Sequence, residues 1–114
     1  MSRSAGAVKA LVAAELERAV DAACRERLAG VLVEPAFVSL AWEYGALGAT
    51  RTCCIVARLG DGDRAIVYCE DGFGPREPWG AVSLSEASMG EDDQWYGSLV
   101  DAAIAAGLCQ TPPG

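Results

Sequence analysis

The side chains best suited to chemistry in this chain are carboxylates and thiols: 16 acidic residues and five cysteines, with no histidine. Histidine is the usual general acid or base at neutral pH, so its absence narrows the reactions open to the chain. A cysteine nucleophile acts as its thiolate and needs a base or a cation nearby. Arg51, just before Cys53 and Cys54, is the nearest such neighbour in sequence. Adjacent strand residues point to opposite faces, which argues against a Cys53–Cys54 redox pair. The acidic pairs Glu70–Asp71 and Asp92–Asp93 have the chemistry for proton transfer or for a divalent ion. Carboxylates in acidic loops are more often simply solvated. Asp61-Gly62-Asp63 starts like a calcium loop, but the later ligands and the closing glutamate are missing. No catalytic residue, metal ligand or cofactor is therefore assigned, and the expectation is a protein that is not an enzyme.

Binding is the better-supported class. Met89 to Leu99, MGEDDQWYGSL, runs Glu91, Asp92 and Asp93 directly into Trp95 and Tyr96. Aromatic side chains bring large contact area with few rotatable bonds, and carboxylates around them attract lysine and arginine. Trp79, Glu70 and Asp71 are secondary candidates for the same contact. The net charge is -7, from 16 acidic against nine basic residues. Nucleic acid and anionic membranes both select for clustered basic residues, so neither is an expected partner. A basic protein is. No apolar run nears the roughly 20 residues of a membrane span. Charged Lys9, Glu15, Glu17 and Arg18 interrupt any signal-peptide core near the start. With an odd number of cysteines and no CxxC, five reduced, buried thiols in the cytoplasm are expected.

The elements that must position these residues are legible from periodicity. Val8, Leu11, Val12, Leu16, Ala19, Val20, Ala23, Cys24 and Leu28 form one apolar stripe, which predicts a helix from about Ala5 to Leu28. Ser4 is its expected N-cap and Gly30 its stop. Alternation predicts strands at Phe37–Tyr44, Thr52–Leu59, Arg64–Glu70 and Trp79–Leu84. In the second of these, Cys53, Ile55, Ala57 and Leu59 are expected on one face, with Cys54, Val56 and Arg58 on the other. Pro35 is expected to separate the helix from the first strand. Gly60-Asp61-Gly62-Asp63 reads as a hairpin turn and Asp71–Pro78 as an irregular loop. A last helix is expected between about Asp93 and Ala106, with Ser98 and Asp101 offering a later start. Gln110–Gly114 is expected to fray.

These elements predict one α+β domain over residues 1–114. Its core would be a four-stranded antiparallel sheet with an N-terminal and a C-terminal helix packed on one face. Both faces of the first two strands carry apolar residues, so a homodimer on the spare face is the alternative reading.

The segments PWGAVSL and MGEDDQWYGSLVDAAIAAG together resemble small bacterial immunity proteins of polymorphic-toxin systems. That resemblance covers about the last third of the chain. It implies a cytoplasmic, non-catalytic inhibitor that binds a basic toxin, and it transfers no individual residue role.

Overall fold

The computed structural model describes residues 4–19, 21–60 and 62–109. The apolar N-terminal stripe folds as two helices rather than one, α1 (Ala5–Arg18) and α2 (Ala22–Val31). Ser4 caps α1, its Oγ accepting from the Ala7 N–H at 3.2 Å. The break comes where Asp21 competes with the helix for backbone donors: its carboxylate accepts from the Ala23 N–H at 3.0 Å and starts α2 afresh. Ala19 adopts extended backbone there, and the Arg25 guanidinium donates to its carbonyl at 2.7 Å. The stripe survives the break, because Val8, Val12, Cys24 and Leu28 are all buried.

The sheet has five antiparallel strands in sequence order: β1 (Leu32–Ala41), β2 (Thr50–Leu59), β3 (Arg64–Tyr68), β4 (Trp79–Ser83) and β5 (Trp95–Tyr96). The fifth strand, two residues long, is the addition to the expected four. β1 starts earlier than expected and runs through Pro35. Proline is tolerated there because β1 is an edge strand and its register against β2 shifts between Leu32 and Ala36.

A bulge changes which side chains of β2 share a face. Ile55 opposes Val67, but Ala57 opposes Ile66, so β2 carries one extra residue at Val56. Beyond it, Ala57 and Leu59 join Cys54 and Val56 in the core beneath the helices, while Cys53 and Ile55 stay on the other side. The expected Cys53/Ile55/Ala57/Leu59 face is thereby corrected.

The last helix, α3 (Leu99–Ala105), takes the later start. Ser98 Oγ accepts from the Asp101 N–H at 3.0 Å, and the Glu15 carboxylate of α1 accepts from the Leu99 N–H at 2.7 Å. A tertiary contact thus completes the cap. All three helices cover one face of the sheet, where Leu28, Val56, Ile66, Leu99 and Ala103 are buried.

The opposite face is covered by the chain itself. From the end of β4, the Leu84 N–H donates to the Asp63 carbonyl at 2.8 Å. The chain then passes over the sheet to the far edge, where Ala41 N–H donates to Ala87 O at 2.8 Å and Met89 N–H to Ala41 O at 3.0 Å. It returns as β5 against β4. This strap lays Met89 and Trp95 over Leu40, Cys53, Ile55, Val67 and Val82. The apolar second face, which suggested a second copy, is therefore an internal core.

Cys24 and Cys109 are joined by a disulfide, with Cα atoms 5.1 Å apart, which corrects the expectation of five reduced thiols. The bond ties α2 to the segment just after α3. Asp61 and Gln110–Gly114, expected as turn and frayed tail, lie outside the described residues.

The β2–β3 hairpin is clamped to the end of β4. Asp63 accepts from Ser83 Oγ at 2.6 Å and from the Ser85 N–H at 2.9 Å, and these bonds hold its carboxyl below the ordinary aspartate value. A depressed folded-state pKa stabilises the fold above the unfolded value and is lost as pH falls through the folded one. Asp63→Asn is expected to flatten the acid side of the stability profile. Urea midpoints from about pH 5 to about pH 2 read this directly; parallel profiles for the two proteins would count against it.

Candidate protein-binding surface

β1 ends, β2 begins, β3 ends and β4 begins at the same end of the sheet, so the loops 42–49 and 69–78 gather there with the return of the strap, 87–98. Three aromatic rings tile this end. Trp42 lies 5.2 Å from Tyr44 and 5.0 Å from Phe73, and Tyr44 lies 5.5 Å from Phe73. Phe73 continues inward to Trp95 at 5.8 Å. The run of rings passes from solvent to core: Tyr44 is 58% exposed and Trp95 2%. Leu47, at the tip of the β1–β2 connection, is fully exposed. It shares a shallow depression with Trp42, Glu43 and Thr50.

Carboxylates surround the rings. Glu43 lies beside the strap, accepting from Ser88 Oγ at 3.4 Å. Glu70 and Asp71 lead into Phe73, and Glu91 and Asp93 follow Met89. Arg51 is the cation at the centre of this end, and the fold uses it internally. Its guanidinium carbon sits 5.0 Å from the Trp42 ring centroid, its Nε donates to Asp71 O at 3.2 Å and its Nη1 to Thr50 O at 3.1 Å. Arg76 is the other cation on the 69–78 loop. With Glu77 beside Arg76, six described carboxylates against two arginines leave this end negative.

The sequence candidates divide on this geometry. Glu91 and Asp93 are exposed, Asp71 is exposed, and Glu70 is half-buried. Tyr96 is half-buried, its hydroxyl donating to Asp93 O at 3.0 Å. Asp92 contributes backbone to the short 3-10 turn Asp92–Gln94, and its side chain lies outside the description. Trp79 and Trp95 are core residues, 3% and 2% exposed, which corrects their proposed place on a contact surface. Trp79 packs edge-on against Tyr68 at 4.8 Å beneath the helices. Trp95 turns inward from the strap's return, its indole N–H donating to Met89 O at 2.8 Å.

The residues that replace them are Tyr44, Leu47 and Phe73, with Glu43. One local signal pointed to Leu47: a large apolar side chain in a glycine-bearing turn has nothing of its own to pack against. Phe73 carried no such signal, because its neighbours come from the β1–β2 connection and the strap.

Among the described residues, no group of three or more cysteine, aspartate or glutamate side chains is arranged to hold a metal ion. No helix among them is long and apolar enough to cross a membrane. Compared with known proteins, the chain matches no protein-family model, no curated protein and no solved structure.

Proposed function

We propose that the chain is a small non-catalytic protein-binding inhibitor whose acidic, aromatic end holds a basic partner, in the manner of an immunity protein that blocks a toxin. One observation carries this reading: exposed Tyr44 stands on a packed ring cluster, and exposed Leu47 shares a depression with Trp42 beside it, inside a fringe of carboxylates. Apolar anchors surrounded by charge of one sign favour a partner with a basic rim around an apolar pocket. The carboxylates would speed and orient the encounter, and the rings would supply desolvated contact.

The cytoplasmic placement expected from five reduced thiols loses that support where Cys24 and Cys109 are bonded. A structural disulfide fits an oxidising compartment better. Intact mass after alkylation of freshly isolated protein reads the difference.

The decisive experiment titrates the protein encoded beside this chain against two variants. Glu91→Lys/Asp93→Lys is expected to slow association about tenfold or more at low salt and to weaken the salt dependence. Leu47→Asp is expected to weaken affinity mainly through faster dissociation, by about 1–3 kcal/mol. Unchanged binding in both variants would discard this surface.

A further inference from the structure

The pairing of β2 with β3 sets Cys54 opposite Tyr68. The next pair along is therefore Cys53 with Cys69, and both lie in the core beneath the strap. The Cys69 N–H donates to Pro78 O at 2.9 Å, towards the β4 side. In a strand, the N–H and C=O of one residue point the same way, so Cys69 meets Cys53 as a pair without backbone bonds between them. Such pairs bring Cα atoms to about 4.5 Å, at the near end of the span a disulfide bridges. Cys54 points to the opposite face, into the core beneath the helices.

We propose that Cys53 and Cys69 form a peroxide-responsive thiol pair, with Cys69 as the attacking sulfur, Cys53 as the resolving one and Cys54 a bystander. The surroundings of Cys69 favour its thiolate. Interaction with the facing Cys53 thiol and with the backbone N–H groups of Asp71 and Gly72 favours its charged form, while the Cys53 thiol itself donates to Arg51 O at 3.8 Å. The interactions at Cys69 outweigh burial and the nearby Asp71 charge, and bring Cys69 down to about 7. The same contact, with burial, pushes Cys53 up, and burial alone pushes Cys54 up. The opposite directions of the two make Cys69 the candidate for the attacking thiolate of the pair.

Burial selects the oxidant. Cys53 and Cys69 are 0% and 3% exposed, which excludes bulky disulfides and leaves a small oxidant, hydrogen peroxide, as the reagent class of the proposal. The Cys69 thiolate attacks one peroxide oxygen, the O–O bond breaks, and the departing hydroxide takes a proton to leave as water. Cys69 is then a sulfenic acid. The Cys53 sulfur attacks it, the S–O bond breaks, and the hydroxyl leaves with the Cys53 proton as a second water. Two thiols and one peroxide become one cross-strand disulfide and two waters. β2 and β3 are already paired, so the product asks for no rearrangement of the sheet.

The test treats the full chain, with its Cys24–Cys109 bond intact, with stoichiometric hydrogen peroxide. The chain holds three free cysteines, Cys53, Cys54 and Cys69. Two thiols are expected to disappear together, with Cys53 and Cys69 cross-linked by peptide mapping in a Cys54→Ala background. In Cys53→Ser, Cys69 is expected to accumulate as a sulfenic acid trapped by dimedone. In Cys69→Ser, peroxide consumption should fall about tenfold or more, to the rate of a buried neutral thiol. Retained thiols in the wild-type chain, or oxidation of Cys54 as fast as Cys69, would overturn the proposal. Circular dichroism of each variant separates lost reactivity from lost folding.

Discussion

Reducing the Cys24–Cys109 bond is expected to lower the stability of this fold by about 4.5 kcal/mol, on a chain-entropy estimate for a loop of this length. The two cysteines are 85 residues apart, so the bond closes nearly the whole described chain into one loop. Closing a loop that long removes much of the freedom of the unfolded state, which is where the stabilisation arises. A domain of this size has about 5–15 kcal/mol in total, so the loss is a large fraction of it. The bond also compensates for short local structure. α3 has seven residues, and isolated helices that short do not persist in water. Anchoring the chain just beyond α3 to buried Cys24 holds that helix on the sheet. Urea unfolding with and without reductant should show the shift in midpoint, and Cys24→Ala/Cys109→Ala should show it without reductant. Coincident curves in both comparisons would mean that the bond contributes nothing to the fold.

Trp95→Ala is expected to cost about 3–5 kcal/mol, in line with deletion of a large aromatic from a packed core. The indole lies flat over Gly80, where an added Cβ would come within 2.7 Å of the ring. It carries the strap's return onto the sheet, and its N–H satisfies the Met89 carbonyl. Truncation removes the contact and leaves that carbonyl without its donor. Trp95→Phe separates the two effects: it keeps most of the packing and loses the hydrogen bond, at about 1–3 kcal/mol. Gly80→Ala attacks the same contact from the other side and should cost a similar about 1–3 kcal/mol by overpacking. Thermal and urea unfolding of the three variants measure the series. A stable Trp95→Ala protein would return Trp95 to the surface and reopen its role as a partner contact.

The strap links stability to the proposed binding end. Gly72 approaches Met89 so closely that a Cβ there would overlap Met89 Cε, and it would also touch the Trp42 ring. The exposed rings therefore rest on the same core that Met89 and Trp95 close. Variants that loosen the strap should weaken partner binding as well as folding. Variants of Leu47, which is fully exposed, should affect binding alone.

What depends on near neighbours was legible in the chain alone. Alternation located four strands, the glycine-aspartate cluster located the β2–β3 turn, and Ser98 with Asp101 offered the helix start that α3 uses. Residues 89–99 were equally legible there as a mix of acidic and aromatic side chains. Periodicity, however, says that a residue is buried without saying against what. Tertiary structure decided that the N-terminal stripe breaks at Asp21, because capping and packing are judged together there. It decided which thiols meet, Cys24 with Cys109 and Cys53 with Cys69, since both pairings follow from chain crossings and register. The bulge at Val56 moved Ala57 and Leu59 to the helix side, an effect of one extra residue that alternation cannot show. The acid-aromatic stretch was divided the same way: β4 pairing and the strap drew Trp95 inside, while Glu91 and Asp93 stayed outside. Local sequence set the chemistry of that stretch, and long-range burial decided which part of it solvent or a partner can reach.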